Sequence, residues 1–274
     1  MTPDAVEIKA CCAAAYGSEA VRWLLGDRLH PGGAALTDRL IDALDAGPDS
    51  LVADVACGSG ASALQAARRI GCRVIGVDLS VASIERARTA AVAAGFDERA
   101  SFVVGDAERL PLDDASVGGV LCECALCTFP DKRAATRELA RVLRPGARLA
   151  LSDMTAEPAR LPAELRALDA WIACVGDARP LDELATLLAD AGFEDVRCER
   201  HDDALTTLVE RADARLRLAR AVRGADVPKA LAYSIGRGLT IADAARRAIA
   251  DGVLGYAVAI ARAPEARRAA PDGP

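Results

Sequence analysis

Three of the nine cysteines in this chain fall in one short segment. They are Cys122, Cys124 and Cys127. Thiolate sulfur is a soft ligand that favours thiophilic metal and metalloid centres. A structural zinc site is the alternative, but such sites use paired Cys-x-x-Cys turns, which the Cys-x-Cys-x-x-Cys spacing does not provide. The segment therefore favours thiols that face a substrate.

A glycine turn followed by an acidic residue marks a second candidate site. Residues 54–60 read Asp-Val-Ala-Cys-Gly-Ser-Gly, and Asp78 lies 18 residues after Gly60. Glycine lets the backbone approach a ligand, and a carboxylate that ends the second strand accepts hydrogen bonds from both ribose hydroxyls. The methyl group of Ala56 is expected to require a negative φ. The pattern indicates a nucleoside site, whereas tight turns and helix capping alone explain it poorly.

Short apolar runs rich in β-branched residues alternate with helical periodicity in the first part of the chain. Strands are predicted at residues 51–57, 73–79, 101–105, 117–123 and 148–153, and helices at 61–70, 81–94 and 133–143. This alternation predicts a doubly wound α/β domain with a parallel sheet. Ligands of such sheets bind at the carboxyl ends of the strands, where the glycine turn, Asp78 and the cysteine segment fall.

The pattern changes after residue 153. Helices are predicted at 163–174 and 181–191, strands at 196–200 and 255–261, and a helical insertion between those strands, acting as a lid over the substrate. The predicted organisation is a cysteine-bearing segment (1–33), an α/β domain (34–202), the insertion or lid (203–252), a last strand (253–262) and a disordered tail (263–274). The expected fold is a mostly parallel, seven-stranded, Rossmann-like sheet.

The composition excludes several functional classes. The formal charge is −6, 52% of the residues are hydrophobic and only 3% are aromatic, so the basic field and stacking platforms of nucleic-acid binding are missing. No run of 18 apolar residues predicts a membrane span, and the first ten residues lack a signal-peptide pattern. We therefore expect a cytoplasmic protein without nucleic-acid or membrane partners, whose cysteines stay reduced.

The strand-end motifs together resemble the class I S-adenosylmethionine-dependent methyltransferases. The resemblance covers about residues 34–200 and includes Gly-Asp-Ala at 105–107 and Asp131. It implies S-adenosyl-L-methionine as the cofactor, with Asp54 and the glycine turn under the methionine moiety, Asp78 on the ribose and Asp106 reaching the adenine. The cofactor-binding set that it implies is Asp54, Ala56, Cys57, Gly58, Gly60, Asp78, Leu79, Asp106, Ala107 and Cys122.

The cysteine segment is similar to that of the arsenite methyltransferase family. Members of this family place a ligand cysteine six residues before Pro-Asp-Lys, the position of Cys124, and a second in a stretch that Cys174-Val-Gly matches. A cysteine pair near the start, here Cys11 and Cys12, supplies the third ligand. The resemblance implies that Cys12 or Cys11, Cys124 and Cys174 bind As(III) as substrate. It also implies a cellular thiol reductant, glutathione or thioredoxin, as a partner.

Two other functions stay open. The first is methyl transfer to O, N or C of a small organic molecule, with Glu123 as the base; the second is a non-catalytic cofactor or metalloid sensor. His30 and His201 are the only histidines, and neither lies in a motif that indicates a base. A metalloid lone pair is already a nucleophile, so methylation of arsenic needs none. Cys122 is as consistent with core packing as with function, and Cys57, Cys72 and Cys198 are typical of buried thiols.

Overall fold

One seven-stranded sheet forms the centre of the molecule. The computed structural model describes residue 9 and residues 18–26, 28–166, 175–221 and 234–265. The strands are β1 (Leu51–Val55), β2 (Arg73–Asp78), β3 (Ala100–Val104), β4 (Val117–Glu123), β5 (Leu143–Ala156), β6 (Glu194–Arg200) and β7 (Leu254–Arg262). Their order is β3-β2-β1-β4-β5-β7-β6, and only β7 runs antiparallel to its neighbours. The predicted mostly parallel, seven-stranded sheet is confirmed.

Helices cover both faces of this sheet. They are α1 (Glu19–Leu25), α2 (Gly33–Ala43), α3 (Ala61–Ile70), α4 (Val81–Ala93), α5 (Lys132–Val142), α6 (Leu181–Asp190), α7 (Asp202–Ala221) and α8 (Ile235–Ala250). Buried residues of α2, α3, α4 and α8 join one apolar cluster, and those of α5 and α6 join the other. The central strands are therefore buried on both faces, which explains their nearly continuous apolar sequences.

Two predictions after residue 153 meet the described structure only in part. Only one 3-10 turn, Ala163–Leu165, begins the helix predicted at 163–174, and residues 167–174 lie outside the described residues. The tail predicted from residue 263 starts as an ordered continuation of the sheet edge, because the Ala263 N–H donates to the Ala147 carbonyl oxygen at 2.8 Å. Residues 266–274 lie outside the described part of the chain.

The helical insertion packs against α1. Leu216 of α7 and Leu239 of α8 form a small apolar cluster with Trp23 and Leu24. Arg215 Nη1 donates to the carbonyl oxygens of Trp23 at 3.1 Å and Leu24 at 2.8 Å, which satisfies the open end of α1. None of the helices that the structure describes is long and apolar enough to cross a membrane.

Candidate active site

A cavity opens where β1 and β4 lie side by side at the centre of the sheet. The chain leaves β1 toward one side and β4 toward the other, and open α/β sheets bind ligands in the crevice that this reversal creates. The cavity has a volume of about 1260 Å³ when its open mouth is included. Its walls come from the carboxyl ends of β1, β2 and β4, and its cover from residues 22 and 28–30 of the N-terminal part.

The glycine turn after β1 forms the floor of the cavity. The Cys57 N–H donates to the Val77 carbonyl oxygen at 3.1 Å, and the Gly60 N–H donates to the Cys57 carbonyl oxygen at 2.9 Å. Ala56 has a φ of +60°, so the expected negative φ is wrong: the tight turn holds an alanine in the left-handed region. Gly60 does not line the cavity; with a φ of +79° it starts α3 against Phe102.

Asp78 is fixed at the edge of the cavity by the backbone. Its Oδ2 accepts the Gly58 N–H at 2.9 Å and its Oδ1 accepts the Ser80 N–H at 2.8 Å. Burial raises the pKa of Asp78, and these two hydrogen bonds oppose the rise. The next residue, Leu79, also lines the cavity and is partly exposed. A fixed carboxylate beside an apolar side chain fits a ribose next to a flat base.

Asp54 points a buried polar atom into the cavity without a partner. The side chain is almost fully buried, and its Oδ2 accepts no hydrogen bond from the described residues. Burial raises the pKa of Asp54 well above its ordinary value, and the negative charges of Glu123 and Asp78 raise it further. Such an orphaned acceptor costs free energy until a donor arrives, which fits the amino group of the methionine moiety.

The adenine end of the predicted cofactor site is only partly formed as expected. Ala107 lines the cavity, but the Asp106 side chain does not. Asp106 Oδ2 instead accepts from Lys9 Nζ at 2.7 Å, and Lys9 also pairs with Glu108. These contacts join the N-terminal part to the cavity rim over nearly a hundred residues, a distance at which sequence patterns give no signal.

Glu123 is the last residue of β4 and lines the cavity, where two hydroxyl groups donate hydrogen bonds to its carboxylate. Its Oε2 accepts from Thr37 Oγ1 at 3.0 Å and from Ser62 Oγ at 2.8 Å. His30 Nε2 lies 3.1 Å from the same oxygen but is not aligned as a hydrogen-bond donor. Sequence reasoning named Glu123 but missed His30, Thr37 and Ser62, since no local motif links residues so far apart.

Of the three clustered cysteines, the structure brings only Cys124 into the cavity lining. It has a φ of +53°, and its N–H donates to the Ser152 carbonyl oxygen at 2.6 Å. Cys122 is fully buried on the other face of β4, which corrects the prediction that its thiol contacts the cofactor: side chains alternate along a strand, and Glu123 takes the cavity side. Cys127 is buried beside Lys132 and Met154, away from this cavity.

The remaining predicted thiols divide into two groups. Cys57 lines the cavity and packs near Gly76 with a pKa that burial raises well above its ordinary value, so it behaves as an apolar side chain. Cys11, Cys12 and Cys174 lie outside the described residues. Within the described ranges, no group of three or more His, Cys, Asp or Glu side chains could hold a metal ion. The arsenic ligand set therefore stays a prediction.

Comparisons with known proteins agree with this geometry. Residues 53–151 match the methyltransferase domain family. An arsenite methyltransferase from Halobacterium salinarum is 34% identical over 160 residues, 57% of this chain and 40% of that protein. An O-methyltransferase from Aspergillus nomiae is 30% identical over 168 residues, 61% of this chain and 75% of that protein. This chain spans about half the length of the curated relatives that match it first.

A solved structure extends the likeness to the fold. The phosphoethanolamine N-methyltransferase 2 of Haemonchus contortus, in complex with S-adenosylhomocysteine, is 18% identical with a TM-score of 0.77, covering 92% of this chain and 57% of that one. The cavity at the ends of β1, β2 and β4, with Asp54 and Asp78 in its wall, fits the same kind of cofactor. The chain belongs to the class I S-adenosylmethionine-dependent methyltransferases.

Proposed function

We propose that this protein transfers a methyl group from S-adenosylmethionine to trivalent arsenic held by cysteine thiolates. The observation that carries the proposal is Cys124, whose side chain lines the cofactor cavity and whose backbone is held in the left-handed region. A non-glycine residue with positive φ persists only where the surrounding structure imposes it, and such residues concentrate at functional sites. The arsenite methyltransferase relative from Halobacterium salinarum supports the same substrate.

The described residues have separate roles in this proposal. Asp78 accepts hydrogen bonds from the ribose, the glycine turn and Asp54 take the methionine moiety, and Leu79 and Ala107 flank the adenine. S-adenosylmethionine supplies a methyl group activated by its sulfonium charge. Cys124 holds arsenic at the same end of the cavity, so that the lone pair and the methyl carbon meet in a fixed orientation, which is the main source of acceleration when no base is needed.

The family resemblance supplies the remaining arsenic ligands of the proposal. Cys174 and either Cys12 or Cys11 complete the set by resemblance alone, and glutathione or thioredoxin returns the arsenic product to its trivalent state. A cytoplasmic location would keep these thiols reduced.

Replacement of Cys124 by serine tests the proposal. We expect the C124S variant to lose formation of methylated arsenic from arsenite, S-adenosylmethionine and a thiol reductant, while its affinity for S-adenosylhomocysteine stays within about twofold of the wild type. The matched control is C198S, because Cys198 lies on the outer strand β6, away from the cavity. Equal arsenite methylation by C124S and wild type would refute the thiolate proposal.

A second candidate is methyl transfer to a hydroxyl group of a small organic molecule. Glu123 favours it, because this buried carboxylate lies in the cavity wall 3.1 Å from His30 Nε2, an arrangement suited to accepting a proton. The O-methyltransferase relative from Aspergillus nomiae is consistent with it.

The E123Q variant separates the two candidates. Under the second, we expect methylation of an alcohol or phenol acceptor to fall by about 100-fold, the usual share of a general base. Under the first, E123Q keeps arsenite methylation, whereas C124S loses it. A sensor without catalysis would bind cofactor and arsenite and turn over neither class of acceptor.

A further inference from the structure

Three arginines line the cofactor cavity with buried nitrogen atoms that lack a partner. These atoms are Nη1 of Arg22, Nη1 of Arg28 and Nε of Arg86. None of the three side chains forms an ion pair within 4.0 Å among the described residues, although arginines elsewhere, such as Arg69 and Arg141, bind carboxylates. A buried guanidinium N–H without an acceptor is unfavourable, so the cavity favours a ligand that supplies one.

Arg22 and Arg86 reach the cavity from different elements of the fold. Arg22 belongs to the covering helix α1 and Arg86 to α4, beside the wall that holds Asp78. Burial lowers the pKa of Arg86, the positive charge of Arg22 lowers it further, and the negative charge of Asp78 opposes the fall, so Arg22 and Asp78 both lie near Arg86. Arg86 Nη2 donates to Ser83 Oγ at 3.0 Å, which leaves its Nε free to face the cavity.

The acidic residues of the cavity supply no acceptor to the three unpartnered nitrogen atoms, although Asp78 lies close enough to Arg86 for their charges to attract. Asp78 accepts two backbone N–H groups, and Glu123 accepts from Thr37 and Ser62. Lys9 is already paired with Asp106 at the rim. Among the described residues, one nitrogen atom of each of these three guanidinium groups is therefore left without an acceptor.

We propose that Arg22, Arg28 and Arg86 form a binding site for an oxyanion, a carboxylate or phosphate group, inside the cofactor cavity. Arginine presents a planar fork of donors that matches such groups. The oxyanion has two possible sources: the carboxylate of the cofactor itself, or an anionic group on the acceptor. Either one would tie α1 to the sheet domain, because its oxygen atoms would bridge Arg22 and Arg86. The inference does not depend on arsenic as the acceptor.

Binding measurements with two nucleosides separate these sources. S-adenosylhomocysteine carries the carboxylate, and 5′-methylthioadenosine carries the same adenosine without it. If the cofactor supplies the oxyanion, we expect R22Q, R28Q and R86Q to lower the affinity for S-adenosylhomocysteine by about tenfold or more. The affinity for 5′-methylthioadenosine should stay unchanged. The control is R39Q on α2, because Arg39 is exposed, pairs with Glu199 and does not line the cavity.

The second arm uses inorganic phosphate as the probe, titrated into protein saturated with S-adenosylhomocysteine. If the acceptor supplies the oxyanion, the wild type binds phosphate and the three variants bind it about tenfold more weakly, while both nucleosides bind as before. The proposal is overturned if the variants change neither the affinity for S-adenosylhomocysteine nor the affinity for phosphate. It is also overturned if they lower the affinity for 5′-methylthioadenosine as much as the affinity for S-adenosylhomocysteine. Unchanged 5′-methylthioadenosine binding also shows that the variants fold.

Discussion

At the scale of single residues, the site depends on groups held in states that are unfavourable by themselves. Asp54 is a buried carboxyl surrounded by other acidic groups, and Ala56 and Cys124 have backbones in the left-handed region. Each state costs free energy in the absence of ligand. The turn, the sheet and the burial around them supply the stability that keeps these groups in place for the cofactor and the acceptor.

The D54N variant should be more stable than the wild type at neutral pH when no cofactor is bound. A raised pKa means that the folded state binds this proton more tightly than the unfolded state. The resulting stability is fully present below the ordinary Asp pKa, about 3.9, and is lost as the pH rises toward the folded value. The difference in Tm between D54N and wild type should therefore widen as the pH rises above about 4 in thermal melts. A Tm difference that does not change with pH would contradict this prediction. The affinity of D54N for S-adenosylhomocysteine should also be lower than that of the wild type.

The A56G variant should gain stability or stay unchanged. Glycine removes a left-handed penalty of about 1–2 kcal/mol and adds an unfolded-state entropy cost of about 0.5–1 kcal/mol, so the net gain lies between zero and about 1.5 kcal/mol. The matched control is A214G in the exposed middle of α7, which should lose about 1 kcal/mol in urea denaturation. Equal losses in both variants would mean that the turn imposes no strain on Ala56.

At the scale of elements, each strand–turn–helix unit brings one functional group to the same edge of the sheet. The β1–α3 unit supplies the glycine turn, β2–α4 supplies Asp78 and Arg86, and β4 supplies Glu123 and Cys124. Tight packing between these units sets their spacing. Gly60 illustrates it, because a Cβ atom there would lie 2.8 Å from the ring of Phe102 on β3.

A comparison of G60A with G58A separates steric contact from backbone strain. Both glycines have positive φ, but a Cβ on Gly58 would meet nothing within 4 Å. We expect G58A to cost about 1 kcal/mol of stability from strain alone, and G60A to cost about 1–3 kcal/mol more because the Phe102 ring must shift. Chemical denaturation measures both. Similar losses in the two variants would show that α3 can move away from β3.

The units themselves could be predicted from sequence because their signals are local. The alternation of apolar runs with helical periodicity predicted β1 to β5 and α3 to α5. The glycine turn and the acidic residues at the strand ends predicted the positions of Asp54 and Asp78. Contacts between distant residues could not be predicted: His30 with Glu123 and Lys9 with Asp106 depend on how the N-terminal part crosses the finished sheet. The left-handed backbone conformation of Ala56 was not predicted, because glycine is the residue that usually indicates a positive φ in a sequence.

At the scale of the whole molecule, the insertion acts on the site indirectly. It was expected to be a lid; no residue of 203–221 or 234–252 lines the cavity, and residues 222–233 lie outside the described part of the chain. The cover comes from the N-terminal part, and α7 and α8 hold α1 in position through Arg215 and the Trp23 cluster. Cofactor affinity should therefore respond to changes outside the cavity.

The R215A variant tests this indirect support. Loss of its two hydrogen bonds to the end of α1 should weaken docking of α1 by about 1 kcal/mol, and S-adenosylhomocysteine affinity by about fivefold. Calorimetric titration measures the affinity, and limited proteolysis should cut the N-terminal part faster. The control is R211A, an exposed arginine on the same helix. Unchanged affinity in R215A would mean that α1 docks without help from α7.

The strand order also has a consequence for synthesis on the ribosome. β7 lies between β5 and β6, although it begins 98 residues after β5 ends. The nascent chain can pair β1 to β5 as they emerge, but β6 has no neighbour until β7 arrives. Until then, the exposed edge of β5 is open to pairing with other nascent chains, so slow translation of the insertion would prolong the period in which aggregation competes with folding.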